Sequence, residues 1–90
     1  MELKLNKPIV FFDLESTGVN VGKDKIIEIS MIKVMTDGKE EEKTLRINPN
    51  MHIPEESTRI NGITDADVAF CPTFDKVAND IKNFIGDSDL

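Results

Sequence analysis

The sequence has few of the features that mark an exported or membrane-bound protein. It contains one cysteine, Cys71, which cannot form an internal disulfide, and this fits a reducing cytoplasm. No apolar run approaches the ~20 residues that a membrane-spanning helix needs. The N-terminal residues MELKLNK lack the apolar core of a signal peptide, so export is not expected. We therefore expect a cytoplasmic protein without membrane contact.

An excess of basic residues is also missing, because the formal net charge is −6. A protein that binds nucleic acid by neutralising phosphates usually carries a basic patch, so the charge argues against a DNA-coating role. It does not argue against a nuclease whose carboxylates hold divalent metal, since the metal then supplies the positive charge. With 90 residues, 39% of them hydrophobic and 31% charged, the chain allows one small soluble domain.

Three segments have the composition of β-strands. Residues 8–15 predict a buried first strand, and residues 25–35 predict a second strand with an almost continuous apolar run. Asp37-Gly38 is the strongest hairpin signal, after which residues 41–48 return as a third strand. A turn-rich loop over residues 16–24 joins the first two strands. The pattern predicts an antiparallel meander of three strands.

Helical signals follow the strands. Residues 54–60 begin with proline and predict a short helix, and residues 64–68 predict another after the cap residue Thr64. Residues 74–85 predict the clearest helix, between the N-cap Thr73 and the terminating Gly86. Its apolar residues recur at helical spacing on one face: Phe74, Val77, Ala78, Ile81, Phe84 and Ile85. Strands followed by helices predict an α/β chain of the α+β type.

The chemistry-bearing pattern is Asp13-Leu14-Glu15 at the end of the first strand. Because side chains alternate along a strand, Asp13 and Glu15 point to one face and Leu14 points to the other. Two adjacent carboxylates are unfavourable unless a cation offsets their charge, and Mg²⁺ and Mn²⁺ prefer such oxygens. Gly18, which follows in the loop, lets a substrate approach the backbone closely. The pair therefore indicates a metal site, although acidic residues at a strand end more often simply meet solvent.

Other polar residues are interpreted more plainly. Glu28 lies within a strand and is read as a structural polar group. His52, the only histidine, is predicted to be an exposed loop residue. Residues 39–43 (KEEEK) are predicted to be a solvated hairpin flank. Cys71 is read as a small packed residue without a catalytic partner.

The chain resembles the DEDD superfamily of proofreading-type exonucleases. The segment FDLESTG over residues 12–18 is similar to the first exonuclease motif of that superfamily. Residues 25–29 (KIIEI), 47–49 (INP), 53–64 (IPEESTRINGIT) and 72–74 (PTF) resemble its later segments, in the same order and at similar spacing. The resemblance extends over nearly all of the chain and is closest to epsilon proofreading subunits of bacterial DNA polymerase III and to stand-alone exonucleases of that type.

The resemblance implies a role for each matching residue. Asp13 and Glu15 correspond to the first two catalytic, metal-binding carboxylates of a site for two Mg²⁺ or Mn²⁺ ions. Leu14, Thr17 and Gly18 correspond to contacts with the 3′-terminal nucleotide. The position of Glu56 often carries an acidic residue near that nucleotide. Asn61 stands where many relatives have histidine, which puts one substrate contact in doubt. The implied partners are a single-stranded 3′ end of DNA or RNA and DNA polymerase subunits.

The resemblance also implies that residues 1–90 are the N-terminal portion of an exonuclease domain. The expected RNase H-like fold has a five-stranded mixed sheet in the order 3-2-1-4-5, and strand 4 would begin near Asp89-Leu90. Two further carboxylates and a general base are expected later, so the chain alone is predicted to be inactive. Without strand 4, the first strand becomes an exposed apolar edge, which predicts self-association. Three readings of function remain open besides a DNA exonuclease: an RNA-trimming exonuclease, a non-catalytic nucleotide-binding module, and a structural domain with an accidental D-x-E.

Overall fold

The three predicted strands form one antiparallel sheet, in which the second strand lies between the first and the third. The computed structural model describes residues 6–20 and 22–90. Its elements are β1 (Ile9–Ser16), β2 (Ile26–Val34), β3 (Glu40–Arg46), α1 (Glu55–Asn61), α2 (Asp65–Val68) and α3 (Phe74–Ile85). The meander and the α+β order are confirmed, and the element bounds lie close to the predicted ones. The predicted loop between β1 and β2 includes Val21, which lies outside the described residues.

The β2–β3 hairpin forms where the Asp37-Gly38 signal predicts it. The N–H of Met35 donates to the carbonyl oxygen of Lys39 at 2.7 Å, which closes the turn. Gly38 has φ +89°, a conformation that residues with a Cβ rarely adopt. The first residues of β3 are exposed, so the prediction of a solvated flank is confirmed.

One face of the sheet packs against the helices. Val10, Ile29 and Met31 form a buried cluster with Val77 of α3, against which Ile81, Phe84 and Ile85 also pack. A second cluster consists of Ile27, Ile53, Ile63 and Val68. It fixes the segment that carries α1 and α2 against the start of β2. The amphipathic pattern of α3 is thereby confirmed, although Phe74 itself is 47% exposed.

The prediction that the first strand is buried is wrong for most of its length. Val10 is 1% exposed, whereas Phe11, Phe12 and Leu14 are 59%, 51% and 42% exposed. Phe11 lies on the same face as Asp13, opposite to the face that packs on α3, whereas Phe12 and Leu14 lie beside an outer edge of β1 that is paired only at its start. There Asp89 forms a parallel bridge with Ile9.

Two hydrogen bonds make this bridge. The N–H of Val10 donates to the carbonyl oxygen of Asp89, and the N–H of Asp89 donates to the carbonyl oxygen of Pro8, both at 2.8 Å. Parallel pairing near Asp89-Leu90 is the arrangement expected for the start of a fourth strand. Backbone groups alternate in direction along a strand, so those of Phe12 and Leu14 point to the same outer edge as those of Val10. The sheet therefore has an apolar edge beyond the bridge.

Candidate active site

Asp13 and Glu15 lie on the same face of β1, as their spacing predicts. In the antiparallel register Asp13 pairs with Ser30, and Glu15 pairs with Glu28. This face is opposite to the one that packs on α3. Asp13 is exposed and Glu15 is half-buried, so both carboxylates are accessible from the open side of the sheet. The register shifts between Glu15 and Ser16, and such an irregularity turns the chain at the point where the strand ends.

The donor chemistry of this pair suits a hard divalent cation. Carboxylate oxygens are preferred ligands of Mg²⁺ and Mn²⁺. Residues 6–20 and 22–90 contain no group of three or more histidine, cysteine, aspartate or glutamate side chains placed to hold one ion. Asp13 and Glu15 therefore do not belong to such a group within the described part of the chain, and their role as metal ligands remains a prediction.

Glu28 lies beside the carboxylate pair but is engaged elsewhere. Arg46 of β3 donates to Glu28 Oε1 at 3.0 Å, across the register pair that these two residues form. This ion pair holds Glu28 as a structural polar group on the open face. Asp13 and Glu15 are thus the two carboxylates that β1 contributes to this face, and neither takes part in the ion pair.

The loop after β1 is held by a network centred on Thr17. The Thr17 side chain is 2% exposed, and its hydroxyl donates to Asp24 Oδ1 at 2.9 Å. The same oxygen accepts the N–H of Lys25 at 2.9 Å, and the N–H of Thr17 donates to the carbonyl oxygen of Lys25 at 2.9 Å. The hydroxyl of Ser57 in α1 donates to the carbonyl oxygen of Thr17. The loop is therefore tied to both β2 and α1.

A cavity of about 370 Å³ lies between this loop and α1. It brings together three of the five predicted nucleotide contacts: Thr17, Gly18 and Glu56. Asn20, Asp24 and Pro54 also line it, together with Val19, Ser57 and Ile60. None of these six residues was predicted as a nucleotide contact. Helical spacing was the available signal for Ile60, which follows Glu56 by one turn of α1.

The exposed apolar residues of this cavity are unusual. Val19 is 100% exposed and Ile60 is 81% exposed. Isolated apolar residues on a surface need no explanation. Val19 and Ile60, however, line the same cavity as Gly18. They offer apolar surface against which a planar base can pack.

The other two predicted contacts lie outside this cavity. Leu14 is on the α3 face of β1 near its free edge and is 42% exposed. Asn61 at the end of α1 accepts the N–H of Ile63 on Oδ1 at 2.9 Å, and its Nδ2 lies 3.4 Å from the carbonyl oxygen of Ser16. The Asn61 side chain thus links α1 to the end of β1. A substrate role for either residue remains a prediction.

His52 is exposed, as predicted, and it has a partner. Its Nδ1 hydrogen-bonds to Asp65 Oδ2, while Asp65 Oδ1 accepts the N–H of Ile53 at 2.7 Å. The bond from Ile53, together with His52, lowers the pKa of Asp65 below its ordinary value. Cys71 is half-buried, and its Sγ lies 3.5 Å from the carbonyl oxygen of Asp67. Neither residue belongs to the carboxylate face.

A larger cavity, of about 450 Å³, lies at the other end of the loop network. Its apolar lining consists of Ile26, Ile47, Pro49 and Phe74. It shares Asp24 with the smaller cavity, and neither cavity is lined by Asp13 or Glu15. The smaller cavity is the nearer of the two to the carboxylates along the chain, because it is lined by Thr17 and Gly18, which follow Glu15 closely.

A model of an exonuclease family, RNase_T, matches residues 10–90. The chain belongs to this exonuclease family. The match begins in β1 and includes Asp13 and Glu15, the loop of Gly18 and all three described helices. Among residues 6–20 and 22–90, no helix combines the length and the apolar character needed to cross a membrane.

Relatives of this exonuclease-family chain include DNA polymerase proteins. It is 31% identical over 84 residues to the DNA polymerase III subunit epsilon of Aquifex aeolicus, covering 93% of this chain and 42% of that protein. It is 35% identical over 81 residues to the PolC-type DNA polymerase III of Clostridium perfringens, covering 90% of this chain and 6% of that protein. The chain thus spans less than half the length of these relatives.

The fold also matches a solved exonuclease structure. Escherichia coli exonuclease I in complex with a dA13 oligonucleotide aligns with a TM-score of 0.75 and 16% identity, covering 89% of this chain and 18% of that one. At this identity the likeness concerns the fold alone. The RNase H-like architecture expected from the sequence is thereby confirmed.

Proposed function

We propose that this chain carries the first part of the active site of a metal-dependent 3′–5′ exonuclease that hydrolyses phosphodiester bonds at the 3′ ends of DNA. The observation that carries the proposal is the placement of Asp13 and Glu15 on one accessible sheet face, next to the loop of Gly18 and its cavity. The relatives named as DNA polymerase III proteins support DNA as substrate and polymerase subunits as partners.

Each part of the arrangement has a chemical use. Asp13 and Glu15 would hold Mg²⁺ or Mn²⁺, which lowers the pKa of a bound water and stabilises charge on the departing oxygen. Gly18 has no side chain, so a nucleotide can approach the backbone of this loop. Val19 and Ile60 supply apolar surface for the terminal base, and Glu56 lies at the rim of the same cavity.

Manganese titration tests the metal site directly. Mn²⁺ is paramagnetic and should broaden the NMR amide signals of Asp13, Glu15 and their neighbours at lower concentration than signals elsewhere. The variants Asp13→Asn and Glu15→Gln should lose this selectivity, since neutral amides are poorer ligands for a hard cation. Asp80→Asn, on the exposed face of α3, is the matched control and should leave the broadening at β1 unchanged. Equal broadening in wild type and both variants would contradict the metal site.

We also infer that the 90-residue chain supplies two of the metal-binding carboxylates and has no appreciable exonuclease activity by itself. The support is that the described residues offer no third ligand and that the chain covers 42% of the epsilon subunit. The test is a single-stranded oligonucleotide labelled at its 5′ end and incubated with the chain and Mg²⁺. Release of mononucleotides that disappears in Asp13→Asn would overturn this inference, because a contaminating nuclease would be insensitive to the variant.

A second copy of the chain is proposed as a partner at the free edge of β1. Phe12 is 51% exposed there, and beyond the bridge to Asp89 its backbone groups point outward, which favours the addition of a strand. Sedimentation velocity should show concentration-dependent association that Phe12→Lys weakens. Phe70→Lys is the control, because Phe70 is fully exposed but lies outside the sheet. A clean monomer at high concentration would remove this proposal.

A cytoplasmic location of the protein remains a prediction.

A further inference from the structure

Asp24 binds two separate points of the loop after β1. Its Oδ1 accepts the hydroxyl of Thr17 at 2.9 Å, and its Oδ2 accepts the N–H of Asn20 at 2.8 Å. Its own N–H donates to the carbonyl oxygen of Asn20 at 2.7 Å. One side chain therefore bridges both ends of the segment that contains Gly18 and Val19. Removing this side chain would break its bonds to Thr17 and Asn20, and the segment between them would be held by fewer contacts.

The same carboxylate explains why residue 18 is glycine. A Cβ at Gly18 would lie 2.5 Å from Asp24 Oδ2 and 2.8 Å from Asp24 Cγ, distances that real Cβ atoms do not show. Gly18 is not among the glycines with positive φ, so backbone conformation does not demand glycine there. The requirement comes from the close approach of the carboxylate. Asp24 and Gly18 therefore form one structural unit.

Thr17 supports this unit and has little left to offer a ligand. Its hydroxyl hydrogen is directed to Asp24, its hydroxyl oxygen accepts from Lys25, and its carbonyl oxygen accepts from Ser57. With 2% exposure, its side chain has no free surface for a nucleotide. Contacts from this loop fall instead to the residues after Thr17, of which Gly18 and Val19 lie inside the segment that Asp24 bridges.

We propose that Asp24 is a positioning residue for nucleotide binding, which holds Gly18 and Val19 against the cavity between the loop and α1. This inference rests on the proposed function, because that function places the nucleotide in this cavity. Asp24 itself acts through the loop. Its negative charge would repel a phosphate, so any loss of affinity on its removal reflects geometry and not a lost charge contact.

Asp67 provides a matched control for the structural effect. It caps α2 with Thr64, whose N–H donates to Asp67 Oδ2 at 2.9 Å while the N–H of Asp67 donates to the Thr64 hydroxyl at 3.3 Å. The Asp67 carboxylate thus also holds the backbone of a neighbouring residue, Thr64. It does not line the cavity between the loop after β1 and α1. Removing it should lower stability without moving that loop.

The experiment is an NMR titration of the whole chain with thymidine 5′-monophosphate. Asp24→Ala should weaken binding by roughly tenfold or more, because a displaced loop loses its contact geometry. Asp24→Asn keeps an oxygen acceptor for one of the two bonds and should bind with intermediate affinity. Asp67→Ala should bind within about twofold of wild type, since its bonds lie outside the cavity.

A stability measurement tests the unit independently of binding. Gly18→Ala should destabilise the wild-type chain, because its methyl group would displace the Asp24 carboxylate from its bonds to Thr17 and Asn20. In the Asp24→Ala background the same change should be much less harmful, so the two effects should be non-additive. Additive effects would overturn the proposed unit of Asp24 and Gly18.

The titration distinguishes a failure of the positioning role of Asp24 from a failure of the proposed function. If wild type binds the nucleotide and Asp24→Ala binds it equally well, the positioning role is overturned while the proposed function stands. If Asp67→Ala loses as much affinity as Asp24→Ala, the loss follows stability alone, and the positioning role is again overturned. If wild type itself shows no shifts at Gly18 and Val19, the proposed function fails and the inference fails with it.

Discussion

Arg46 of β3 forms an ion pair with Glu28 of β2 at 3.0 Å, and the register places Glu28 directly opposite Glu15 of β1. Three charged residues thus form one row across the open face of the sheet. Without Arg46, two carboxylates would stand opposite each other in neighbouring strands, which is unfavourable. The ion pair therefore offsets the charge of Glu28 beside Glu15, the carboxylate that we propose as a metal ligand.

Replacing Arg46 should destabilise the sheet modestly. We expect Arg46→Met to lower the free energy of unfolding by about 1 kcal/mol, because it removes the cation that offsets Glu28 beside Glu15. Urea denaturation checks this, and Glu28→Gln added to Arg46→Met should restore most of the loss. Arg59→Met is the control, because its contact with Glu55 is longer, at 3.9 Å, and more exposed. An equal loss of unfolding free energy in Arg59→Met would argue against a stabilising role for the row of Arg46, Glu28 and Glu15.

Ser57 should be important despite its size. It is 8% exposed, and its hydroxyl donates to the carbonyl oxygen of Thr17, 40 residues away along the chain. Ser57→Ala should lower the free energy of unfolding by about 1–3 kcal/mol, because a buried acceptor loses its partner. Thr36→Ala, at an exposed position of the hairpin, should have little effect. Hydrogen exchange should also show faster exchange at the loop after β1 in Ser57→Ala.

Ile27 should be the most sensitive apolar position of the second core cluster. It is 0% exposed, so Ile27→Ala should leave a cavity and lower the free energy of unfolding by about 2–5 kcal/mol. Ile60→Ala removes the same atoms from a side chain that is 81% exposed, and it should change stability little. A loss at Ile27 as small as the one expected at Ile60, in thermal or urea unfolding, would show that the second cluster does not stabilise the domain.

Asp65 should contribute to stability in a pH-dependent manner. The hydrogen bond from the N–H of Ile53 lowers the pKa of Asp65 below the ordinary value of 3.8. Its ionised form is favoured in the folded state, so its contribution is complete above pH 3.8 and is lost as pH falls through the lowered pKa. The difference in stability between wild type and Asp65→Asn should therefore shrink in acid. Circular dichroism at a series of pH values measures this difference.

Much of the fold could be predicted because its signals are local and periodic. Alternation and the Asp37-Gly38 turn predict the meander, and helical spacing predicts α3 with its bounds. The common face of Asp13 and Glu15 follows from the same alternation. The exposure of Phe11 and Phe12 could not be predicted from their composition, because composition indicates what a strand prefers to contact and not what is present to cover it.

The sequence by itself determined the order of the elements and the placement of the two carboxylates on one side of β1, since side-chain direction along a strand is a property of the backbone. Only the tertiary structure decided which residues surround the loop of Gly18. Ser57 reaches that loop from α1, and Asp24 fills the space that a side chain at residue 18 would need. These contacts join residues that are not related by the regular spacing of a helix or a strand. They therefore arise only when the packed core brings the loop and α1 together.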